Sequence, residues 1–200
     1  GTPADAPATA NDEMGTDMDP DFKLTYSTMF DPPEALHQQF EAAVERVRPK
    51  FGGVHGLYID GRDRATATTF EKTSPIDTQW VLGRFAAATP ADVAAAMEAA
   101  ARAFVSWRRL PASARVALVR RIGQLIEERV FDIGAALAIE VGKNRMEALG
   151  EVQETAEFFR LYADNFEAAQ GFDVTLPDDP LKGWASHNRR KLVRVYCHSP

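Results

Sequence analysis

The sequence predicts a mixed α/β chain in which helices dominate. Two observations carry that reading. Three short runs rich in β-branched and aromatic residues lie between His55 and Ala86, separated by turn residues. From Thr89 to Gln170, apolar residues recur at helical spacing almost without a break. The composition agrees with a folded protein: of 200 residues, 45% are hydrophobic and 26% charged. That is an ordinary globular balance, and the length suffices for a sizeable core.

Taken in order, the chain opens on an acidic stretch. Residues 1–22 hold Asp5, Asp12, Glu13, Asp17, Asp19 and Asp21 and no Lys or Arg, which accounts for the whole net charge of −6. The stretch lacks apolar periodicity, cannot offset its ordering entropy and is expected to be disordered. A solvated end explains it more simply than an acidic interaction tail. The chain begins with Gly, which suggests a processed or fragmentary start. Residues 23–200 form the body, where 23 acids match 23 bases. That balance gives no reason to expect nucleic acid as a partner.

A helix is expected over 33–48, with Leu36, Phe40, Ala43, Val44 and Val47 at helical spacing and Asp31-Pro32-Pro33 as a capping start. Strands follow over 55–86. His55–Asp60 and Thr68–Thr73 are expected to form a hairpin across Gly61-Arg62-Asp63-Arg64, with a third strand at Val81–Ala86. Helices occupy 90–170. Thr89, Pro90 and Asp92 start the first, which carries a stripe of Val93, Met97, Ala100 and Phe104. Pro111 breaks the pattern and Ser113 restarts it. One helix then buries Val116, Val119, Ile122, Ile126 and Val130 and continues through Ile133, Leu137 and Val141 to Gly142. The last runs from about Arg145 to Gln170 with Met146, Leu149, Val152, Ala156, Phe159 and Ala163 inward. A basic strand is expected over 189–197.

Several chemistries are disfavoured. One Cys cannot build a disulfide framework, no apolar run is long enough for a membrane helix, and no secretory signal is visible. The cytoplasm is the expected compartment. His37, His55, His187 and His198 lie in four separate segments without ligand-pair spacing, so no metal site is expected. Cys197 and His198 are adjacent, and neighbours in a strand face opposite ways. Gly52-Gly53 and Gly56 lie between helix and strand, the wrong order for a phosphate-binding turn. No GxxxxGK[ST] or GxSxG motif occurs. Arg189, Arg190, Lys191 and Arg194 read more readily as charges guarding an edge strand than as a phosphate contact.

An ordered set of short motifs points further. It comprises Tyr58-Ile59-Asp60-Gly61, Ser74-Pro75-Ile76-Asp77, Val81–Arg84, and Thr89-Pro90-Ala91-Asp92-Val93. Phe104 with Trp107, Glu140-Val141-Gly142-Lys143, Glu147-Ala148 and Gly150-Glu151-Val152 follow. Over residues 23–190 this set resembles the N-terminal portion of the NAD(P)-dependent aldehyde dehydrogenase superfamily. Thr25-Tyr26-Ser27-Thr28-Met29 and the helix after it are similar to the Δ1-pyrroline-5-carboxylate (glutamate semialdehyde) dehydrogenase branch. The resemblance implies an α/β fold with a flap β-hairpin, long helices and an incomplete Rossmann-like domain. It also implies an oxidoreductase that uses NAD or NADP when complete, takes a small aldehyde and forms a homo-oligomer.

The family's oxyanion Asn, cofactor-binding Lys, glycine turn, general-base Glu and nucleophilic Cys would lie beyond the late strand. This chain instead reads Val195-Tyr196-Cys197-His198-Ser199-Pro200. It is therefore expected to be an N-terminal fragment without catalytic, cofactor-binding or metal-ligating residues of its own. The resemblance assigns one substrate-binding candidate, Glu151, whose carboxylate would orient a substrate amine or imine. The same residue also reads as a solvent-facing helix Glu. Arg145 and Glu154 read as helix-surface charges. The competing function is a non-catalytic helical module that binds a partner subunit through its flap strands. A fragment is expected to expose broad apolar patches on the helices after residue 90, whereas a self-sufficient module would bury them.

Overall fold

The computed structural model describes residues 31–179 and 184–189, with side chains through Asp173. The acidic stretch 1–22, Cys197, His198 and the basic strand beyond Arg189 lie outside the described residues.

Helix α1 spans Glu34–Val47 and buries Leu36, Phe40, Ala43 and Val47, which lie three or four residues apart on one face. The expected Asp31 cap is not made. Pro33 is the N-cap, extended at φ −66° and ψ 151°, and no side chain caps the helix. Two prolines hold the chain extended and leave Asp31 two residues short of the capping position. A 3-10 turn at Arg48–Lys50 follows.

Five strands come next: β1 (Gly53–His55), β2 (Leu57–Ile59), β3 (Arg62–Arg64), β4 (Thr69–Thr73) and β5 (Val81–Ala86). The expected pairing of 55–60 with 68–73 is not formed. The first run splits at Gly56, so that β1 joins β5 in parallel while β2 turns back on β3. Gly56 lies against the Arg64 backbone, where a Cβ would fall 2.7 Å from the carbonyl oxygen. The turn is made by Asp60 and Gly61, at φ 56° and 73°. These are the left-handed conformations of a two-residue hairpin turn. β4 pairs antiparallel with β5, giving the order β1-β5-β4. His55 and Phe70 both stack on Phe85, at 4.9 and 5.8 Å, an aromatic row across the three strands.

Four helices follow: α2 (Pro90–Trp107), α3 (Ala112–Glu127), α4 (Val130–Val141) and α5 (Arg145–Ala168). Two corrections fall here. Pro111, not Ser113, stands at the N-cap of α3. The single helix expected from 113 to 141 is two, broken at Arg129 with φ −118° and ψ 18°. Neither Pro nor Gly marks that junction, so packing imposes the break. Beyond it α4 buries Gly134, Ala135, Ala138 and Ile139, leaving Ile133 and Val141 at 38% and 46% exposure, and on α3 the expected inward Ile122 is 44% exposed. The contact faces carry small residues. A Cβ at Gly134 would lie 2.8 Å from Leu149 Cδ2, and one at Gly123 would lie 3.1 Å from the Ala156 carbonyl. Both helices thereby approach α5 closely.

The core joins Leu36, Phe40, Ala43 and Val47 of α1 to Ala135 and Ala138 of α4 and to Ala148 and Leu149 of α5. Leu36 and Leu149 are wholly buried, and each contributes about 1.5–3 kcal/mol of hydrophobic stabilisation. Ion pairs tie the rims: Arg46 to Asp132 at 2.6 Å, Arg160 to Glu127 at 2.6 Å, and Arg120 to Asp164 at 2.5 Å and Glu167 at 2.6 Å. Helix α2 is joined to the strands by Arg102 and Asp60, 3.2 Å apart. The expected inward stripe of α2 is not covered: Val93 and Met97 are exposed, and Ala99 is the residue that buries. An antiparallel ribbon of β6 (Asp173–Asp179) and β7 (Trp184–Arg189) follows α5.

Candidate functional site

Glu151 stands in the second turn of α5. Its neighbours Leu149 and Val152 point into the core, which turns the carboxylate outward, half-exposed at 49%. Its partner is the Lys143 ammonium, which donates to Oε1. Lys143 lies in the short link between α4 and α5. On one side Gly142, at φ 73°, caps α4 and donates its N–H to the Ala138 carbonyl at 2.9 Å. On the other, the Asn144 side chain accepts from the Glu147 N–H at 2.9 Å and caps α5. A third element braces the corner. Ser74 is buried and donates its hydroxyl to the Ile139 carbonyl at 2.6 Å, one of the end carbonyls an α-helix leaves unpaired.

Arg145 does not behave as the surface charge its sequence position suggests. Its guanidinium lies 4.8 Å from the Phe40 ring centroid, meets His37 Nδ1 at 2.7 Å and pairs with Glu41. A guanidinium only donates, so Nδ1 accepts and the His37 proton sits on Nε2. Arg145 therefore joins α5 to α1, and Lys143 is left as the cation facing Glu151. The sequence did not disclose the partners of Lys143, Arg145 and Ser74. Only the paired cap signals at Gly142 and Asn144 hint that Lys143 is held in place.

Other candidates have ordinary explanations. A shallow groove of about 300 Å³ is lined by Arg48, Phe51, Gly52, Trp80 and Val81. Its Arg48 already lies over the Trp80 indole at 5.0 Å, and its size is at the lower limit for small-molecule sites. Among the described residues no three His, Cys, Asp or Glu side chains gather as a metal-holding group.

The turn from β5 into α2 has the order of a phosphate-binding site, but its chemistry does not fit one. The Thr89 N–H and hydroxyl donate to the Asp92 carboxylate at 2.9 and 2.7 Å, and the Asp92 N–H donates back to the Thr89 hydroxyl at 3.3 Å. A carboxylate thus fills the anion position at this helix N-terminus. The Thr89 hydrogen bonds hold the Asp92 pKa below its ordinary 3.8. On the far rim, Glu127 holds the Arg160 guanidinium firmly charged, and Glu167 and Asp164 do the same for Arg120.

The aldehyde dehydrogenase family model matches residues 62–191. The chain belongs to the aldehyde dehydrogenase family. Within that family its mixed helices and strands make up an N-terminal portion of the fold. A 1-pyrroline-5-carboxylate dehydrogenase of Staphylococcus saprophyticus is 31% identical over 138 residues, covering 68% of this chain and 27% of that protein. An N-succinylglutamate 5-semialdehyde dehydrogenase of Serratia proteamaculans is 42% identical over 98 residues, 48% of this chain and 20% of its own length. A solved 1-pyrroline-5-carboxylate dehydrogenase from Thermus with bound NAD superposes with a TM-score of 0.70. It is 31% identical and covers 82% of this chain and 31% of that one. The aldehyde dehydrogenase segment described here thus spans about a quarter to a third of those two 1-pyrroline-5-carboxylate dehydrogenases.

Proposed function

We propose that this chain serves in an NAD- or NADP-dependent aldehyde dehydrogenase that oxidises Δ1-pyrroline-5-carboxylate, through its open form glutamate semialdehyde, to glutamate in proline catabolism. The observation that carries the reading is the recurrence of 1-pyrroline-5-carboxylate dehydrogenases among both its sequence relatives and its structural neighbours. The chain contributes the α4–α5 corner, where the outward carboxylate of Glu151 is suited to meet the amine or imine of the substrate. A nicotinamide nucleotide would accept hydride in the complete enzyme. The turn from β5 into α2 is not available as its site, because the Asp92 carboxylate already takes the Thr89 donors there. A homo-oligomer in the cytoplasm completes the reading. No described helix is long and apolar enough to cross a membrane.

The alternative is a non-catalytic module that docks on a partner subunit through its strands. Exposed apolar side chains such as Val54 on β1 and Phe70 on β4 favour it. Two measurements separate the readings. The first is the intact mass of the native gene product. The second is its reduction of NAD and of NADP with glutamate semialdehyde. Turnover supports the dehydrogenase. A native product no longer than this chain, inactive with either nucleotide and bound to a partner subunit, would leave the module reading in its place.

A further inference from the structure

We infer that the β2–β3 hairpin and helix α2 form one cooperative unit, which opens and unfolds together while the core of α1, α4 and α5 stays folded.

The path of the chain puts both parts on one joint. β1 runs parallel to β5 with His55 beside Phe85, and β4 runs antiparallel to β5 with Thr69 beside Ala86. The chain therefore leaves β1 for the hairpin, returns from the hairpin into β4, and leaves β5 for α2 at the same end of the three-stranded sheet. The Ala87 N–H donates to the Thr68 carbonyl at 3.0 Å and closes that end. The remaining connection is the turn from α2 into α3. Its far side is tied to α3, where the Arg115 guanidinium donates to the Leu110 carbonyl at 3.0 Å. The second joint thus lies between Trp107 and Leu110.

Between these joints the hairpin and α2 hold each other. β2 lies against α2. Ile59 is the residue that β2 buries, Ala99 the residue that α2 buries over its 18 positions, and both are 8% exposed. Charges match along the contact. Arg102 pairs with Asp60 at 3.2 Å near the hairpin turn. At the other end of the hairpin, Arg64 acts on Asp92: after the Thr89 hydrogen bonds, its charge also lowers the Asp92 pKa. Asp92 and Arg102 are about 15 Å apart along a helix rising 1.5 Å per residue, so the hairpin runs beside most of α2. The core is built differently, with Leu36 and Leu149 wholly buried. A part with few buried apolar contacts opens at lower free energy than the core beside it.

Hydrogen exchange read by mass spectrometry on the 200-residue chain, at low concentration, tests the inference. Amides of residues 57–64 and 90–107 are expected to show similar protection, both weaker than α5. In Arg102→Met both segments should exchange about threefold faster, the scale of an exposed ion pair, with α5 unchanged. Asp60→Asn removes the charge and suits the left-handed turn position. It should act alike on both segments, and the double variant should go no further than either alone. Ile59→Ala, which removes the apolar contact, should speed both segments by about tenfold or more.

Three results would overturn the inference. Equal protection of α2 and α5, both strong or both weak, means that no unit opens ahead of the core. Faster exchange of α2 in Arg102→Met with the hairpin unchanged means that the two parts open separately. If Ile59→Ala speeds α5 by the same factor as α2, the whole chain unfolds as one body.

Discussion

At the scale of single residues, the corner between α4 and α5 depends on side chains whose partners are distant in sequence. Ser74 bonds to Ile139 across 65 positions, and Arg145 reaches His37 across 108. Replacing Ser74 by Ala leaves a buried helix-end carbonyl without its donor, which costs about 1–3 kcal/mol. The expected outcome of Ser74→Ala is a lower urea midpoint at unchanged slope. A midpoint equal to wild type would show that the Ile139 carbonyl finds another partner and that Ser74 is dispensable. These pairings were not legible in the sequence. Helical periodicity fixes which face of α5 Arg145 occupies, but it says nothing of what that face meets. The chain places Ser74 in a turn beside Pro75, and only the packed structure brings the end of α4 against it. The ion pair of Lys143 with Glu151 was not legible either.

At the scale of elements, local signals were read well where the backbone itself enforces them. Thr89, Pro90 and Asp92 open α2 through a reciprocal capping box, and Gly142 closes α4 in a left-handed conformation. The signals failed where long-range packing decided. The break at Arg129 has no local marker, and β1 pairs in parallel with β5, a partner that local sequence does not mark. Two predictions belong here. The Asp92 pKa is held below 3.8 by its hydrogen bonds to Thr89. A carboxylate with a depressed folded-state pKa stabilises above its unfolded value and loses that contribution as pH falls through the folded one. The α2 cap is therefore intact at neutral pH and weakens on acidification below 3.8. An NMR titration of the Asp92 carboxyl checks this, and a midpoint at or above the ordinary Asp value would sink it.

The second element-scale prediction concerns Gly134. Alanine is the better helix former by about 1 kcal/mol, which alone would make Gly134→Ala stabilising. The new Cβ would instead lie 2.8 Å from Leu149 Cδ2, and Leu149 is wholly buried. Overpacking a filled core costs about 1–3 kcal/mol, so the clash outweighs the propensity gain. A lowered unfolding midpoint for Gly134→Ala is expected. Pairing it with Leu149→Val, which makes room for the methyl, should recover part of the loss, and additive effects would count against direct contact.

At the scale of the whole molecule, the distribution of apolar surface carries the argument. α1, α4 and α5 share one core, yet the faces beyond it are open. Val93 is 54% exposed on α2, Leu118 49% on α3 and Tyr162 65% on α5. On α5, Phe158 and Tyr162 stack at 5.9 Å on the stripe that also carries Glu151, with neighbours four and seven positions apart. Apolar faces on three helices exceed the scattered exposed residues of a typical monomer. Periodicity in the sequence marked Val93 and Met97 on α2 and Ile122 on α3 as inward-facing, and the structure leaves them exposed, whereas the periodicity assigned no inward face to Leu118, Phe158 or Tyr162. Hydrophobic association is roughly proportional to the apolar area removed from water, so surfaces of this kind find one another as concentration rises. The 200-residue chain produced by itself is therefore expected to bind an apolar fluorescent dye in its native state. It should also sediment as larger species with increasing concentration. Replacing Phe158 and Tyr162 together by Ser should reduce both signals while leaving the core of Leu36 and Leu149 untouched. A chain that stays monomeric across the concentration range, ignores the dye and unfolds in one cooperative step would mean that these faces are closed in solution. The interaction-module reading would then gain over the dehydrogenase segment.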